Sequence, residues 1–301
     1  MPQWQGKSKG TSWGYQIFIF TCKKWGIKPA YFLLVFVAAW YFLFSFSSTR
    51  NIYSYMRKRQ KFGVFRSIIS VYKNYLVFGQ TLIDKVVVMG RIRHPFTFEF
   101  DGEEHLRTMM AGGRGGILLS GHAGNWEAAG HLLERLNVKV NVVMFDGEHE
   151  QIKDKLENAI GDKNFRIIPV KNDLSHVYAI HQVLQNNELV CLHADRYMPD
   201  SKTVLKNFFG EDAPFPAGPF ELAASLKVPV SVVFAFKDSA FHYHLCGSPC
   251  VEKTEDETKR EFVERLTELF VCDFENKLRR YPLQWFNYYD FWDKTNARPY
   301  H

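Results

Sequence analysis

The chain has 301 residues and 46% of them are hydrophobic, which is ample for a buried core, so a disordered protein is not expected. The net charge of +6 is unevenly distributed: the first 83 residues carry twelve Lys and Arg and no acid, and Asp84 is the first acidic residue. Everything after residue 83 then has a net charge of −6, so the basicity belongs to the N-terminal segment alone.

An uncharged apolar run, "AYFLLVFVAAWYFLFSF", occupies residues 30–46 within the basic segment. As a helix it would be about 26 Å long, at the short end for crossing a bilayer and adequate for a shallow insertion. We predict an uncleaved membrane anchor within residues 1–50. A buried core helix and a secretory signal peptide are the alternatives, but "FSFSSTRN" offers a poor cleavage site.

Cations flank the apolar run on both sides, and aromatic residues of the kind found at membrane interfaces lie in and beside it. Because the residues between the cations are apolar and aromatic, we expect an anionic leaflet and not nucleic acid as the partner of this segment. The cations are Lys23, Lys24, Lys28, Arg50, Arg57, Lys58, Arg59 and Lys61.

Beyond the anchor, residues 51–93 show a basic helical pattern that predicts a connecting helix, and residues 94–301 read as one α/β domain. Four strand-like runs alternate there with helical stretches, which predicts a central, mostly parallel sheet flanked by helices. The runs are "GILLSG", "VKVNVVMF", "FRIIPV" and "ELVCLHA", and the helical stretches are 125–136, 149–160 and 174–187. Further strands are expected in "VPVSVVFAF" and "FHYHLC", and a long helix over 255–280.

The first polar cluster, "GHAGNWE", follows the predicted strand 116–120. Functional groups of such sheets gather just past the carboxyl ends of strands. His122 leaves the strand end, Asn125 is a plausible N-cap, and Glu127 lies in the first turn of the next helix. On an unbroken helix His122 and Glu127 would point about 140° apart, so the intervening loop, with Gly121 and Gly124, is needed to bring them together.

Three interpretations of this cluster remain open at this point. Glu127 could hold one imidazole nitrogen so that the other accepts a proton from an attacking group. The residues could equally be a strand-end histidine and a cap partner without a catalytic role. A metal site is the third interpretation, with ligands drawn from His122, Glu127, His131, His193 and Asp195, although no compact HxH, HExxH or CxxC pair supports it.

The second cluster, "LHADRYMPD", follows the predicted strand "ELVCL". Asp195 and Arg196 emerge there, and a guanidinium in that position suits a phosphate or carboxylate, although a surface pair is an equal alternative. After it, "NFFGEDAPFPAGPFELAASLKVPVSVVFAF" combines a turn, a short helix and a strand. Its aromatic residues could line an apolar slot or simply pack in the core; they are Phe208, Phe209, Phe215 and Phe220.

Taken together, these motifs resemble the lipid A biosynthesis acyltransferases, the lauroyl and myristoyl transferases of Gram-negative inner membranes, within the wider glycerolipid acyltransferase group. "GHAGNWE" matches the family's H-x4-D/E motif, and "HADRYMPD", "FFGEDAPFPAGPFELA" and "KVPVSVVFAF" follow in the family's order. The ending "YPLQWFNYYDFW" is also similar. The second block lacks the glutamine-rich form common in enterobacterial enzymes, and the third lacks "FPEG"; both departures bear on the acceptor.

The resemblance implies His122 as general base and Glu127 as its orienting partner, in transfer of a fatty acyl group from acyl carrier protein or acyl-CoA to a lipid hydroxyl. It implies no cofactor and no metal beyond that co-substrate, and a place at the bacterial inner membrane with the catalytic domain facing the cytoplasm. Arg196 would contact a phosphate. Gly124, Asn125 and Asp195 complete the expected substrate-binding set, with the backbone amides around Gly121–Asn125, or Arg196, as donors to the oxyanion.

Two other functions are kept as alternatives. One is a metal-dependent phosphohydrolase acting on membrane lipids through His122, Glu127, His193 and Asp195. The other is a non-enzymatic membrane scaffold whose α/β domain binds a partner protein.

Overall fold

The structure is a computed structural model, and it describes residues 12–90, 92–125, 138–145, 165–170, 173–295 and 297–300. The helices in these ranges are α1 (Ser12–Trp25), α2 (Ile27–Phe44), α3 (Phe46–Ser54), α4 (Val64–Met89), α5 (Glu103–Ala111), α6 (Ser175–Gln185), α7 (Gly218–Leu226) and α8 (Lys259–Arg280). A π-helical turn, Tyr55–Arg59, follows α3, and a 3-10 turn, Pro282–Gln284, follows α8.

The strands are β1 (Thr97–Asp101), β2 (Gly116–Ser120), β3 (Val140–Phe145), β4 (Phe165–Val170), β5 (Leu189–His193), β6 (Lys202–Phe208), β7 (Glu211–Pro216), β8 (Val230–Ser239), β9 (His242–Gly247) and β10 (Arg298–Pro299). Seven of them form one sheet in the order β1-β9-β8-β2-β5-β3-β4. Every neighbouring pair in it is parallel except β8 and β9. The predicted α/β fold with a mostly parallel central sheet flanked by helices is therefore confirmed.

All six predicted strands are present, and the predicted helices 174–187 and 255–280 correspond to α6 and α8. The start of α8 is fixed by a capping box, in which the Thr258 side chain accepts from the amide of Glu261 and the Glu261 carboxylate accepts from the amide of Thr258. The predicted helices 125–136 and 149–160 lie outside the described residues. The sequence did not suggest β1, or the hairpin of β6 and β7 that joins β10 in a small second sheet.

The basic segment 51–93 was predicted as one connecting helix, whereas in the structure it is divided. The chain breaks between the π-helical turn and α4, where Lys61 adopts a left-handed conformation with φ of 58°. The segment also enters the main hydrophobic core, because Tyr55, Met56 and Val71 are buried with the side chains of the sheet. Residues 51–93 therefore connect the apolar helix to the α/β structure and also contribute side chains to its core.

The apolar run is α2, and its two faces differ. Ala30, Leu34 and Ala38 are buried against α4 and the sheet, whereas the other face exposes large apolar side chains. With a mean hydropathy of 1.8 over 18 residues, α2 is the one helix within the described residues that is long and apolar enough to cross a membrane. Only 22% of the run is buried.

The order of the strands decides which polar residues of the sequence come together. The strands β2 and β5 lie side by side and in parallel, with Ser120 opposite His193. The chain therefore leaves both strands at the same edge of the sheet, so the two polar clusters of the sequence, after residues 120 and 193, come together there.

Candidate active site

The loop 121–125 after β2 has a tightly constrained backbone. Gly124 adopts φ of 67°, and a Cβ atom there would lie 2.1 Å from the carbonyl oxygen of Ala235, so only glycine fits. Gly121 is required for a different reason, because a Cβ atom would lie 2.9 Å from the Phe274 ring and 3.3 Å from Cγ of Asp195. The φ of Gly121 is not in the left-handed region. The predicted need for an unusual backbone conformation therefore holds for Gly124, whereas Gly121 is needed because its neighbours pack closely against it.

Every amide from residue 122 to residue 125 donates to an acceptor inside the protein. His122 donates to Oδ2 of Asp195 at 2.9 Å, Ala123 to the carbonyl of Gly121 at 2.7 Å, Gly124 to that of Gln284 at 2.9 Å and Asn125 to that of Ala235 at 2.8 Å. The loop is therefore held by β8, by the C-terminal segment and by the second polar cluster. The sequence had suggested these amides as donors to a substrate oxyanion, and in this structure they stabilise the loop.

His122 and Asp195 form a hydrogen-bonded pair. Nδ1 of His122 lies 2.7 Å from Oδ1 of Asp195, and the indole of Trp285 donates to Oδ2 at 3.3 Å. The Asp195 side chain is 1% exposed, whereas that of His122 is 18% exposed. The acid is thus enclosed by protein donors while the imidazole keeps a path to solvent.

The environment of Asp195 favours its ionised form. Burial alone would raise its pKa, but the charge and hydrogen bond of His122, together with the guanidinium of Arg196, outweigh burial and hold the pKa well below the usual 3.8. An ionised carboxylate only accepts hydrogen bonds, so Nδ1 of His122 donates to Asp195, and in the neutral form of the ring Nε2 is then the acceptor.

His193, the last residue of β5, contacts the other side of His122. Its Nδ1 lies 3.1 Å from Nε2 of His122, and the two rings meet edge to face with centroids 4.2 Å apart. Burial, and then the neighbouring His122, lower the pKa of His193 well below 6.5, so this ring is neutral near pH 7. With Nε2 of His122 accepting, His193 is the donor, and the three side chains form a hydrogen-bonded row from His193 through His122 to Asp195.

The other expected site residues have the following positions. Arg196 is partly buried, and its Nη2 donates to the carbonyl of Phe286 at 2.9 Å. Asn125 is 1% exposed, and its amide group donates to the Tyr243 hydroxyl at 3.2 Å and to the carbonyl of Thr81 at 3.3 Å. Arg196 therefore lies beside the row, whereas Asn125 connects the loop to the interior.

The hydroxyl of Tyr243 continues this connection, because it donates to the buried carboxylate of Asp84 on α4. Asp84 also accepts from Lys237 of β8, at 2.5 Å, and from the hydroxyl of Tyr31 on α2. The side chains of Lys237 and Asp84 are 4% and 0% exposed, so the ion pair is shielded from water. A buried polar network thus runs from the apolar helix to the loop that carries His122.

Glu127 and His131 lie outside the described residues, so the pairing of His122 with Glu127 stays a prediction. Among the residues that the structure describes, no group of three or more His, Cys, Asp or Glu side chains is arranged to hold a metal ion. The phenylalanines considered for an apolar slot, Phe208, Phe209, Phe215 and Phe220, are all core residues, between 0% and 5% exposed.

The sequence suggested Asp195 as a substrate contact or a metal ligand, and His193 as a metal ligand. In the structure both make polar contacts with His122. The adjacency of β2 and β5 is the cause, and it depends on strand order, which spacing along the chain does not reveal. The supporting residues Gln284 and Trp285 were also missed, since the ending "YPLQWFNYYDFW" indicated a similarity to the family but no role for either residue.

Comparison with known proteins gives several relatives. The chain is 24% identical over 188 residues to a phosphatidylinositol mannoside acyltransferase of Mycobacterium tuberculosis, covering 61% of this chain and 56% of that protein. It is 29% identical over 121 residues to the phosphatidylinositol mannoside acyltransferase of Mycolicibacterium smegmatis, covering 40% of each. The chain thus spans about half the length of the curated relatives that it matches.

Among solved structures, the 1-acyl-sn-glycerophosphate acyltransferase PlsC from Thermotoga maritima aligns with 84% of this chain and 98% of its own, at 14% identity and a TM-score of 0.39. The family model described as bacterial lipid A biosynthesis acyltransferase matches residues 9–292, which is most of the chain. The protein therefore belongs to the bacterial lipid A biosynthesis acyltransferase family.

Proposed function

We propose that this enzyme transfers a fatty acyl group from the thioester of acyl carrier protein or coenzyme A to a lipid A precursor or a related bacterial glycolipid or aminolipid. The observation that carries the proposal is the row His193, His122, Asp195, in which a buried ionised acid holds a partly exposed imidazole. A general base of this kind is what an acceptor hydroxyl or amine needs in order to attack a thioester directly.

The reaction follows from that geometry. Nε2 of His122 takes the proton of the acceptor hydroxyl while the oxygen forms a bond to the thioester carbonyl carbon. The tetrahedral intermediate then collapses, the carbon–sulfur bond breaks, and the departing thiolate receives the proton from Nε2. Asp195 stays ionised throughout and stabilises the imidazolium that forms in between. No protein nucleophile is required, and the products are the acylated lipid and a free thiol.

Glu127 has the orienting role in the sequence prediction, whereas Nδ1 of His122 is paired with Asp195 in the structure. We propose Asp195 as the partner that fixes the tautomer, and Glu127 as a residue of the same site that contributes to substrate or to loop position. The variants Asp195→Asn and Glu127→Gln separate the two roles, because the loss of the tautomer-fixing group lowers kcat most.

The membrane role is also a proposal, and the exposed face of the N-terminal helices supports it. An exposed surface with several large apolar side chains marks an interaction site. Basic residues stand next to it, such as Lys24, whose ammonium lies 5.5 Å and 5.3 Å from the ring centroids of Phe20 and Trp25. The exposed members are Ile17, Phe20, Trp25, Phe32, Phe36, Trp40, Leu43, Phe44, Phe46, Phe65 and Ile69.

We propose that this face lies in the acyl layer of the inner membrane, with the α/β part in the cytoplasm. Flotation with vesicles that contain anionic lipid tests the proposal. The double variant Phe32→Asp/Phe36→Asp should lose most vesicle binding, and Leu269→Asp, which alters an exposed apolar residue of α8, should keep it. Equal binding by both variants would overturn the assignment of this face.

The acceptor is tested with the purified full chain, labelled acyl carrier protein or acyl-CoA, and two acceptors. One is a tetra-acylated lipid A precursor, and the other is a phosphatidylinositol mannoside, chosen because the relatives carry that substrate in their names. We expect label in the lipid fraction with at least one pair and none with His122→Ala. Absence of transfer with every pair, or full activity of His122→Ala, would refute the mechanism.

A further inference from the structure

The reaction proposed above needs a donor for the oxyanion that develops on the thioester carbonyl, and the described loop does not provide an obvious one. The amides of residues 122–125 all donate to Asp195, Gly121, Gln284 or Ala235. Stabilisation of a tetrahedral intermediate is usually a large part of the acceleration of acyl transfer. The donor to the oxyanion has to lie near Nε2 of His122, the atom that takes the proton.

His193 meets this requirement. Its Nδ1 lies 3.1 Å from Nε2 of His122, the nitrogen that abstracts the proton. His193 ends β5 opposite Ser120 at the end of β2, so its position is fixed by the sheet itself. The carbonyl oxygen is bonded to the carbon that the acceptor oxygen attacks, so a donor beside Nε2 is close to where the negative charge develops.

We infer that His193 is a second catalytic residue, whose Nδ1–H donates to Nε2 of His122 in the resting enzyme and to the oxyanion of the tetrahedral intermediate during acyl transfer. In the resting enzyme this bond occupies the lone pair of Nε2 until the acceptor hydroxyl binds. When the acceptor hydroxyl replaces His193 as the donor to Nε2, the N–H of His193 donates to the carbonyl oxygen of the thioester instead. No proton leaves His193, so the overall reaction stays as written above.

The low pKa of His193 is consistent with this role. A neutral imidazole offers a hydrogen bond without placing a second positive charge beside the imidazolium of His122, which would oppose proton uptake. Arg196, the other polar group at the end of this strand, donates from Nη2 to the carbonyl of Phe286, and its charge favours the ionised form of Asp195.

The inference rests on the proposed acyl transfer, and three substitutions at one position test it. An Asn amide nitrogen can take the position of Nδ1, a Gln amide nitrogen takes that of Nε2, and Leu has no donor. We expect His193→Asn to keep kcat within about tenfold, and His193→Gln and His193→Leu to lose about 10²- to 10³-fold in kcat. KM for the acyl donor should change less than about threefold, since the interaction is made in the transition state.

His244→Leu is the matched control, because His244 is a buried histidine paired with an aspartate away from the loop. Its kcat should stay within about threefold of the wild type. Thermal unfolding of each variant identifies one that fails to fold, and the contrast of Asn with Gln decides the question even if the Leu variant does not fold.

A series of acyl thioesters with thiols of different pKa separates the oxyanion from the leaving group. A donor to the oxyanion gives the same loss in His193→Gln for every thiol, whereas a donor to the departing sulfur gives a loss that grows as the thiol becomes more basic. Full activity of the Gln and Leu variants, equal losses in Asn and Gln, or a loss that follows the thiol pKa would each overturn the inference. A wild-type protein that transfers no acyl group would instead refute the proposed function itself.

Discussion

Two histidines of this protein pair with aspartates at nearly the same distance, and the pairs have opposite burial. In the proposed active-site pair, His122 and Asp195 are 2.7 Å apart, and it is the acid that is enclosed, 1% exposed against 18% for the imidazole. In the second pair, His244 of β9 and Asp101 of β1 are 2.6 Å apart, but the carboxylate is 68% exposed and the imidazole 8%.

This difference separates the pair that we propose as catalytic from a structural one. A buried acid that keeps its charge can stabilise an imidazolium, and an imidazole with a path to solvent can reach a substrate. His244 instead fills space in the interior, with Nδ1 3.3 Å from the Tyr281 hydroxyl, while water solvates its aspartate. A short His–Asp distance is therefore a poor indicator of catalysis unless the burial of each partner is considered.

The largest expected effect is at His122. His122→Ala removes the base and should lower kcat by about 10³- to 10⁴-fold, as loss of a positioned proton acceptor does. His244→Ala should change kcat by less than about threefold. Steady-state acyl transfer with labelled donor measures both, and comparable losses in the two variants would show that the comparison of burial has no predictive value.

The acids should differ almost as strongly. Asp195→Asn should lower kcat by about 10²- to 10³-fold, because the uncharged amide cannot stabilise the imidazolium. Its oxygen is also kept on the amide of His122 and the indole of Trp285, so its NH2 group faces Nδ1 and favours the wrong tautomer. Since the pKa of Asp195 is held below 3.8, the carboxylate of the wild type is ionised from pH 5 to pH 8, and the loss should be present across that range. Asp101→Asn should leave kcat within about twofold, since its pair is exposed to solvent. A pH series of initial rates provides the measurement.

An intermediate effect is expected at two glycines that flank the pairs. Gly124 and Gly102 have φ of 67° and 83°, and at either position a Cβ atom would lie 2.1 Å from a backbone carbonyl oxygen. Both Gly→Ala variants should therefore lower the free energy of unfolding, by about 1–3 kcal/mol from the strained backbone. Only Gly124→Ala should also lower kcat, by about 10- to 100-fold, because it displaces His122.

Urea unfolding and kinetics of the same two preparations test this expectation. Equal loss of activity in Gly124→Ala and Gly102→Ala would mean that kcat follows global stability. The position of His122 would then not be the cause.

The smallest expected effect is that of a chelator. Both ring nitrogens of His122 make hydrogen bonds to protein side chains, so we expect acyl transfer to continue at an unchanged rate after dialysis against EDTA. Metal analysis of the dialysed protein accompanies the assay. Loss of activity that is restored by Zn²⁺ or Mn²⁺ would favour the metal-dependent alternative over the base described here.

Much of the fold could be predicted from local pattern. Continuous apolar runs bounded by polar clusters gave the six strands, and the 3.6-residue period gave α6 and α8. The hairpin of β6 and β7 was missed because its strands contain Pro and charged residues, which are rare in regular strands. The sequence did not predict the break after Arg59, because apolar residues recur at helical spacing again over residues 62–75, beyond the break.

The sequence by itself determined the chemical groups and their place at strand ends: His122 after one apolar run, Asp195 and Arg196 after another, and a basic, apolar segment ahead of them. Which groups touch was decided by the tertiary structure alone. Hydrogen bonding in the sheet puts β5 next to β2, although about 70 residues separate them, and that register joins His122 to both Asp195 and His193. Burial is likewise a property of the packed molecule, since the side chains that enclose Asp195 come from the loop after β2 and from the C-terminal segment.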